Sequence, residues 1–262
     1  MNGKSIYIII TALLTLVACE GVDEIYIPPE PENLADCSNR VIDSGLYYEQ
    51  EDQSFLWGGV DSSTHFEITD WTLNTCNLKK GLGREAFYAL TDPDYELLSE
   101  TTTNYPDTSR AVIVSFNNTV KVYPFQILRR HETVNEVIDG EPIMVVYCFL
   151  ADLASVYTRV YCGKTLTFAV SGFTYQDPNA YDAKESFILW DRNSESLWWP
   201  INDKAVSGVY KDENMVKYNR GKWGVSTFKE IRDRYPDALV LEFIQDEKEL
   251  GPIEPSNGCF QD

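Results

Sequence analysis

Residues Thr133–Cys148, TVNEVIDGEPIMVVYC, decide the reading of this chain. Two runs rich in strand-favouring residues flank Asp139-Gly140, a dipeptide that readily supplies the two positive φ angles of a two-residue hairpin turn. Such a turn fixes the register. Facing residues have numbers summing to 279, so Ile138 faces Glu141, Asn135 faces Met144 and His131 faces Cys148. The same count puts Pro142 at a position that does not bond across the hairpin, where its missing N–H costs nothing if the strand edge is free.

Working outward, further hairpins are predicted. Ala111–Phe116 and Thr119–Tyr123 flank Asn117-Asn118, Leu153–Tyr161 and Thr165–Ser171 flank Cys162-Gly163-Lys164, and Phe187–Trp190 and Ser196–Trp199 flank Asn193. Successive hairpins imply a mainly β fold, at the margin of α+β, with an antiparallel sheet or barrel covered by a few short helices. Three helices are predicted. Asp92-Pro93 resembles a cap with proline at the first helical position, leading into Asp94–Glu100; Pro124–Arg130 begins with proline; Thr227 and Glu230 form a capping box ahead of Phe228, Ile231 and Tyr235. Ala238–Ile244 reads as a last strand. An accessory β segment is expected over 37–75, the main β domain over 76–244 and an acidic tail over 245–262. No repeat of 20–50 residues recurs.

The N-terminus carries a different kind of signal. Lys4, the apolar run Ile6–Leu16 and Leu16-Val17-Ala18-Cys19 have the layout of a bacterial lipoprotein signal peptide over 1–18, with Cys19 the lipidated first residue. The lipid makes the membrane a partner and places the protein in the bacterial cell envelope, with the outer membrane the expected site. An acidic tether with Pro28, Pro29 and Pro31 then spans 19–36. The net charge of −19 excludes nucleic acid as a natural partner. An envelope protein or a glycan is the alternative, the latter through Trp190, Trp198 and Trp199 if they form an exposed stacking platform. Besides Cys19 there are five cysteines, an odd number in an oxidising compartment, so at least one thiol is unpaired in the monomer. Cys37, Cys76 and Cys259 stand out as disulfide formers; the pairing of these and Cys162 stays open.

Familiar catalytic patterns are missing: no nucleophile elbow, no phosphate-binding glycine loop, no zinc-protease helix. With only two histidines, His65 and His131, a histidine-rich zinc site within one monomer is impossible. No cofactor is required. One constellation has a geometric basis, because the hairpin register sets His131 beside Cys148 with Thr133, Asn135, Met144 and Val146 on the same face and Glu132 on the other. An imidazole there can hold a thiolate for redox work, and His, Cys and Met together suit copper. Equally, Cys148 reads as a small buried residue and His131 as a structural histidine. A helix over Pro124–Arg130 would end the strand before His131 and leave the pair unladdered.

Blocks in order also resemble a bacterial family of unknown function, domain-of-unknown-function family 3179. They are Tyr123-Pro124, His131-Glu132, Val134-Asn135, Tyr147-Cys148, Leu166-Thr167-Phe168, Val170-Ser171-Gly172, Asp191-Arg192, Ser196-Leu197-Trp198 and Tyr235-Pro236-Asp237. The resemblance implies a Cys-Pro-Leu-Cys motif after a strand and, with it, thiol chemistry. Here Cys148 and Leu150 match, while Phe149 and Ala151 stand at the proline and second cysteine positions. Dithiol exchange needs that second sulfur. The resulting expectation is a binding or structural module with a degenerate thiol site, and the alternative is redox or copper handling by Cys148 and His131.

Overall fold

A computed structural model of the chain describes residues 40–58, 64–117, 119–179, 181–219, 221–243 and 252–259. The signal peptide, Cys19, the tether, Cys37 and much of the acidic tail lie outside the described residues. No described helix is long and apolar enough to cross a membrane.

The central hairpin forms as its turn dictates. Asp139 and Gly140 both take positive φ, 51° and 79°, and the ladder runs from Ile138 opposite Glu141 to Thr133 opposite Val146. Ile143–Cys148 are all buried, so this strand has no solvent face. An unbroken apolar run satisfies both of its sides. The sheet order is Leu153–Thr158, Glu141–Cys148, Thr133–Ile138 and Leu90–Thr91.

A five-stranded sheet packs on each face. On one side Ile143, Val145 and Tyr147 meet Val112, Val114 and Tyr123, which belong to the sheet Trp223–Thr227, Arg110–Phe116, Thr119–Pro124, Leu239–Leu241 and Tyr95–Leu97. On the other, Met144, Val146 and Cys148 meet Phe168, Leu189 and Trp198, from the sheet Lys204–Ala205, Leu197–Trp199, Glu185–Asp191, Phe168–Gln176 and Leu78–Lys80. Beyond that sheet, Leu56 and Phe66 of the small sheet Tyr47–Gln50, Gln53–Leu56 and Phe66–Glu67 pack on Trp190 and Trp199. Beyond the other, helix Phe228–Arg234 covers Ala111 and Val122 with Phe228 and Ile231, and its Thr227–Glu230 capping box is formed. The fold is mainly β, and among the described residues the sheets stay open, with no closed barrel.

Three expectations change. Asp94–Glu100 is not a helix: Tyr95–Leu97 pairs with Leu239–Leu241, and only a single turn follows. Pairing with a buried strand outweighs the local cap signal. The Cys162-Gly163 hairpin is short, joining only Val160–Tyr161 to Lys164–Thr165, because Leu153–Thr158 pairs with the central hairpin and Phe168–Gln176 joins another sheet. The buried Arg159 sits at that crossing and donates to the carbonyls of Leu166 (2.8 Å) and Glu136 (3.2 Å). Finally, Trp190, Trp198 and Trp199 are buried and form no exposed platform. Trp198 donates instead to the buried Asp191 (2.8 Å), which also accepts from the Ser194 amide (2.7 Å) and closes the turn.

Two neighbouring polar side chains fasten the three sheets. The Asn135 amide group donates to Phe168 O (2.8 Å) and Leu90 O (3.4 Å) and accepts from Phe168 N (2.9 Å), acting as a one-residue strand between sheets. Glu136 points the opposite way and takes the Tyr95 hydroxyl (2.8 Å), the Tyr123 hydroxyl and the Lys121 ammonium. Truncating Asn135 leaves the Phe168 amide and carbonyl buried without partners, at about 1–3 kcal/mol per group. Asn135→Ala is therefore expected to lose about 3 kcal/mol in urea unfolding. An unchanged midpoint would show that apolar packing alone joins the sheets.

Candidate functional site

The site grows from how one short helix ends. Helix Phe125–His131 follows Pro124, which has an extended backbone, and stops at Glu132 in the left-handed region at φ 58°, with the Glu132 N–H bonded to Leu128 O at 2.6 Å. Left-handed backbone is uncommon for a residue with a Cβ and reverses the chain in one step. The Glu132 carbonyl then accepts from Tyr147 N (3.0 Å), extending the hairpin ladder by one residue and no further.

His131 therefore lies in the helix and is not laddered with Cys148. The helix begun by Pro124, the option that breaks the strand, is the one that forms. His131 is buried; its Nδ1–H donates to Tyr88 O (3.1 Å) and its ring meets the Tyr88 ring at 4.6 Å. Burial lowers its pKa and keeps the ring neutral. Cys148 is fully buried and is the free cysteine of the described residues; Cys162 is bridged to Cys259, and Cys76 is also disulfide-bonded. Burial pushes the Cys148 thiol up, against amides of Ala151, Phe187 and Leu150 that favour the anion, and the Glu132 charge pushes it further. The group acting on Cys148 is Glu132, placed by the hairpin count on the other face.

Glu132 itself faces an apolar pocket of about 260 Å³. Phe173 and Phe187 are buried in its wall, and Phe149, Leu150 and Leu82 are exposed at its rim. Phe87 lines it as well. Burial alone raises the Glu132 carboxyl to about 7. The wall opposite depends on glycine: Gly172 has φ 86°, and a Cβ there would sit 2.1 Å from the Gly83 backbone. The Gly81 amide bonds to Gly172 O at 2.8 Å, seating loop Gly81–Gly83 on the irregularity between Val170 and Thr174.

Residues 84–251 match the family model described as "Protein of unknown function (DUF3179)". The chain belongs to the DUF3179 family. No curated protein and no solved structure matches it. Within the DUF3179 region the segment Cys148-Phe149-Leu150-Ala151 contributes to this pocket: Phe149 and Leu150 form its rim, while Cys148 and Ala151 are buried. Loop Gly81–Gly83 comes from just before the matched region. Among the described residues no three His, Cys, Asp or Glu side chains come close enough to hold a metal ion.

A carboxyl with its folded pKa raised binds a proton that the unfolded chain has lost. Between the ordinary 4.5 and about 7, stability conferred by the protonated Glu132 therefore falls as pH rises, and it is gone above 7. At about 1.4 kcal/mol per unit the loss is roughly 3 kcal/mol. Urea unfolding of the native chain and Glu132→Gln at pH 5 and pH 8 measures it. The native chain should lose roughly 3 kcal/mol more than the variant; the raised carboxyl of Asp191, at about 6, is common to both and cancels. Parallel pH curves would refute a protonated Glu132.

Proposed function

We propose that this protein is a lipid-anchored binding protein of the bacterial cell envelope, held in the outer membrane by acyl chains on Cys19, and that its DUF3179 domain takes a small organic ammonium ion. Lys4, Ile6–Leu16 and Leu16-Val17-Ala18-Cys19 support the anchor. The binding reading rests on one observation: a single carboxyl, Glu132, in an apolar pocket lined by Phe87, Phe149, Phe173 and Phe187. The faces of aromatic rings attract cations, and a desolvated carboxylate adds a full charge to that attraction. The apolar walls select an amine with a short hydrocarbon or aromatic substituent, and about 260 Å³ limits its size.

Thiol redox or copper chemistry at Cys148 and His131 finds less support. The thiol is buried and held protonated, His131 is committed to Tyr88, and Ala151 stands where a resolving cysteine would be. Binding without covalent chemistry fits the same residues.

Two experiments test the two halves. Cys19→Ala should abolish incorporation of labelled palmitate and move the protein from the membrane pellet to the soluble fraction; a variant that still pellets would refute the anchor. For the pocket, calorimetric titration with benzylamine should show affinity rising about tenfold per pH unit up to about pH 7 and then levelling, as the ligand displaces the Glu132 proton. Glu132→Gln should weaken binding by at least about tenfold and flatten the pH dependence. Equal affinity in the variant would exclude Glu132 as the counter-charge.

A further inference from the structure

A second cavity flanks helix Phe125–His131 and has the opposite chemistry. It encloses about 580 Å³ between the start of strand Arg110–Phe116, the helix and Phe228 of the covering helix. Arg110, Arg129 and Arg130 line it together with the hydroxyls of Thr108 and Ser109, and no acidic side chain does. This is unexpected in a chain with 41 acidic and 22 basic residues.

Pairing sharpens the anomaly. Arg110 binds Asp152 at 2.6 Å, with its guanidinium 4.8 Å from the Phe125 ring centre. Among the described residues neither Arg129 nor Arg130 forms a salt bridge. Arg130 is stacked on Phe243 at 4.9 Å, which holds its plane without neutralising it. With Arg110 offset by Asp152 and Arg129 hydrogen-bonded to the neutral Tyr147 hydroxyl, about two positive charges line the cavity without an ion-pair partner. That count matches a phosphate monoester near neutral pH, and guanidinium forks with neighbouring hydroxyls are the donors that planar, two-point recognition of phosphate requires. The strongly negative chain as a whole repels extended polyanions and anionic bilayers, so the ligand that reaches this cavity is small and soluble.

We infer that the arginine cavity is a binding site for a small, soluble phosphate monoester, separate from the Glu132 pocket. Titration of the full-length protein with phenyl phosphate should give one-site binding that weakens as salt is raised. Arg129→Gln/Arg130→Gln should reduce affinity by at least about tenfold, and Arg129→Lys/Arg130→Lys should restore part of it, because lysine keeps the charge and loses the fork. Both arginines are exposed on the helix, and circular dichroism checks folding. Should the double variant fail to fold, the single variants read the same loss at smaller size. A flotation arm separates the sources of phosphate: the Cys19→Ala chain is mixed with phosphatidylcholine vesicles with and without phosphatidic acid. Binding of phenyl phosphate without flotation supports the inference. Flotation on phosphatidic acid without phenyl phosphate binding overturns it in favour of a lipid headgroup. Absence of both, or binding unchanged in the double variant, also overturns it.

Discussion

Asn135 and Glu136 stand next to each other in one strand, and because successive side chains point to opposite faces they grip opposite sheets. Asn135 replaces a missing strand neighbour for Phe168, and Glu136 gathers Tyr95, Tyr123 and Lys121. Both are buried, so neither can slip its partners for water. A shift of the hairpin by one residue would send the amide toward the tyrosines and the carboxylate toward a backbone carbonyl, stranding both. The apolar run Ile143–Cys148 cannot enforce this by itself, since both of its faces are buried and either would accept a valine. Polar specificity supplies the register that hydrophobic burial leaves open.

That register determines where the candidate site falls. With Thr133 locked opposite Val146, the helix must end within one residue, and the left-handed turn at Glu132 is what achieves it. The turn commits the carboxyl to the side of the chain where Phe149 and Leu150 leave the sheet. Little in that pocket can solvate a charge. The carboxyl therefore keeps its proton into the neutral range, and the same absence of solvating groups makes the site receptive to a cation that would replace that proton.

The legible parts of the chain were those fixed by local chemistry. Asp139-Gly140 predicts its hairpin because the turn conformation is intrinsic to the dipeptide, and Thr227 with Glu230 predicts its helix because both capping bonds lie within four residues. Asp92-Pro93 misleads, since a distant strand, Leu239–Leu241, captures Tyr95–Leu97. The Cys162-Gly163 hairpin is overextended for a related reason: Arg159 draws its two arms into different sheets through bonds to residues seven and twenty-three positions away. At the site, His131-Glu132 and Cys148 are visible as a motif, but extrapolating the two-residue period past Thr133 assigns the facing position to the wrong member of the pair. A non-glycine residue in the left-handed region leaves no mark in composition or spacing. Phe173 and Phe187 sit on neighbouring strands that pair at Thr174 opposite Phe187, and the close contact of Gly83 with Gly172 seats the loop that leads to Phe87 against them, none of which is local in the sequence.

Helix Phe125–His131 also explains why a strongly acidic chain presents two cavities of opposite sign so close together. Backbone carbonyls at the end of a helix favour cations and disfavour anions. Arg129 and Arg130 in the last turn satisfy that preference, and Glu132, the residue that caps the helix end, runs against it. Burial is what keeps the Glu132 carboxyl neutral, while the arginines line the other cavity. Neutralising Glu132 by protonation and neutralising it by a bound ammonium relieve the same conflict. What distinguishes them is pH: above about 7 only the ligand can do so, because the pocket then holds a desolvated carboxylate.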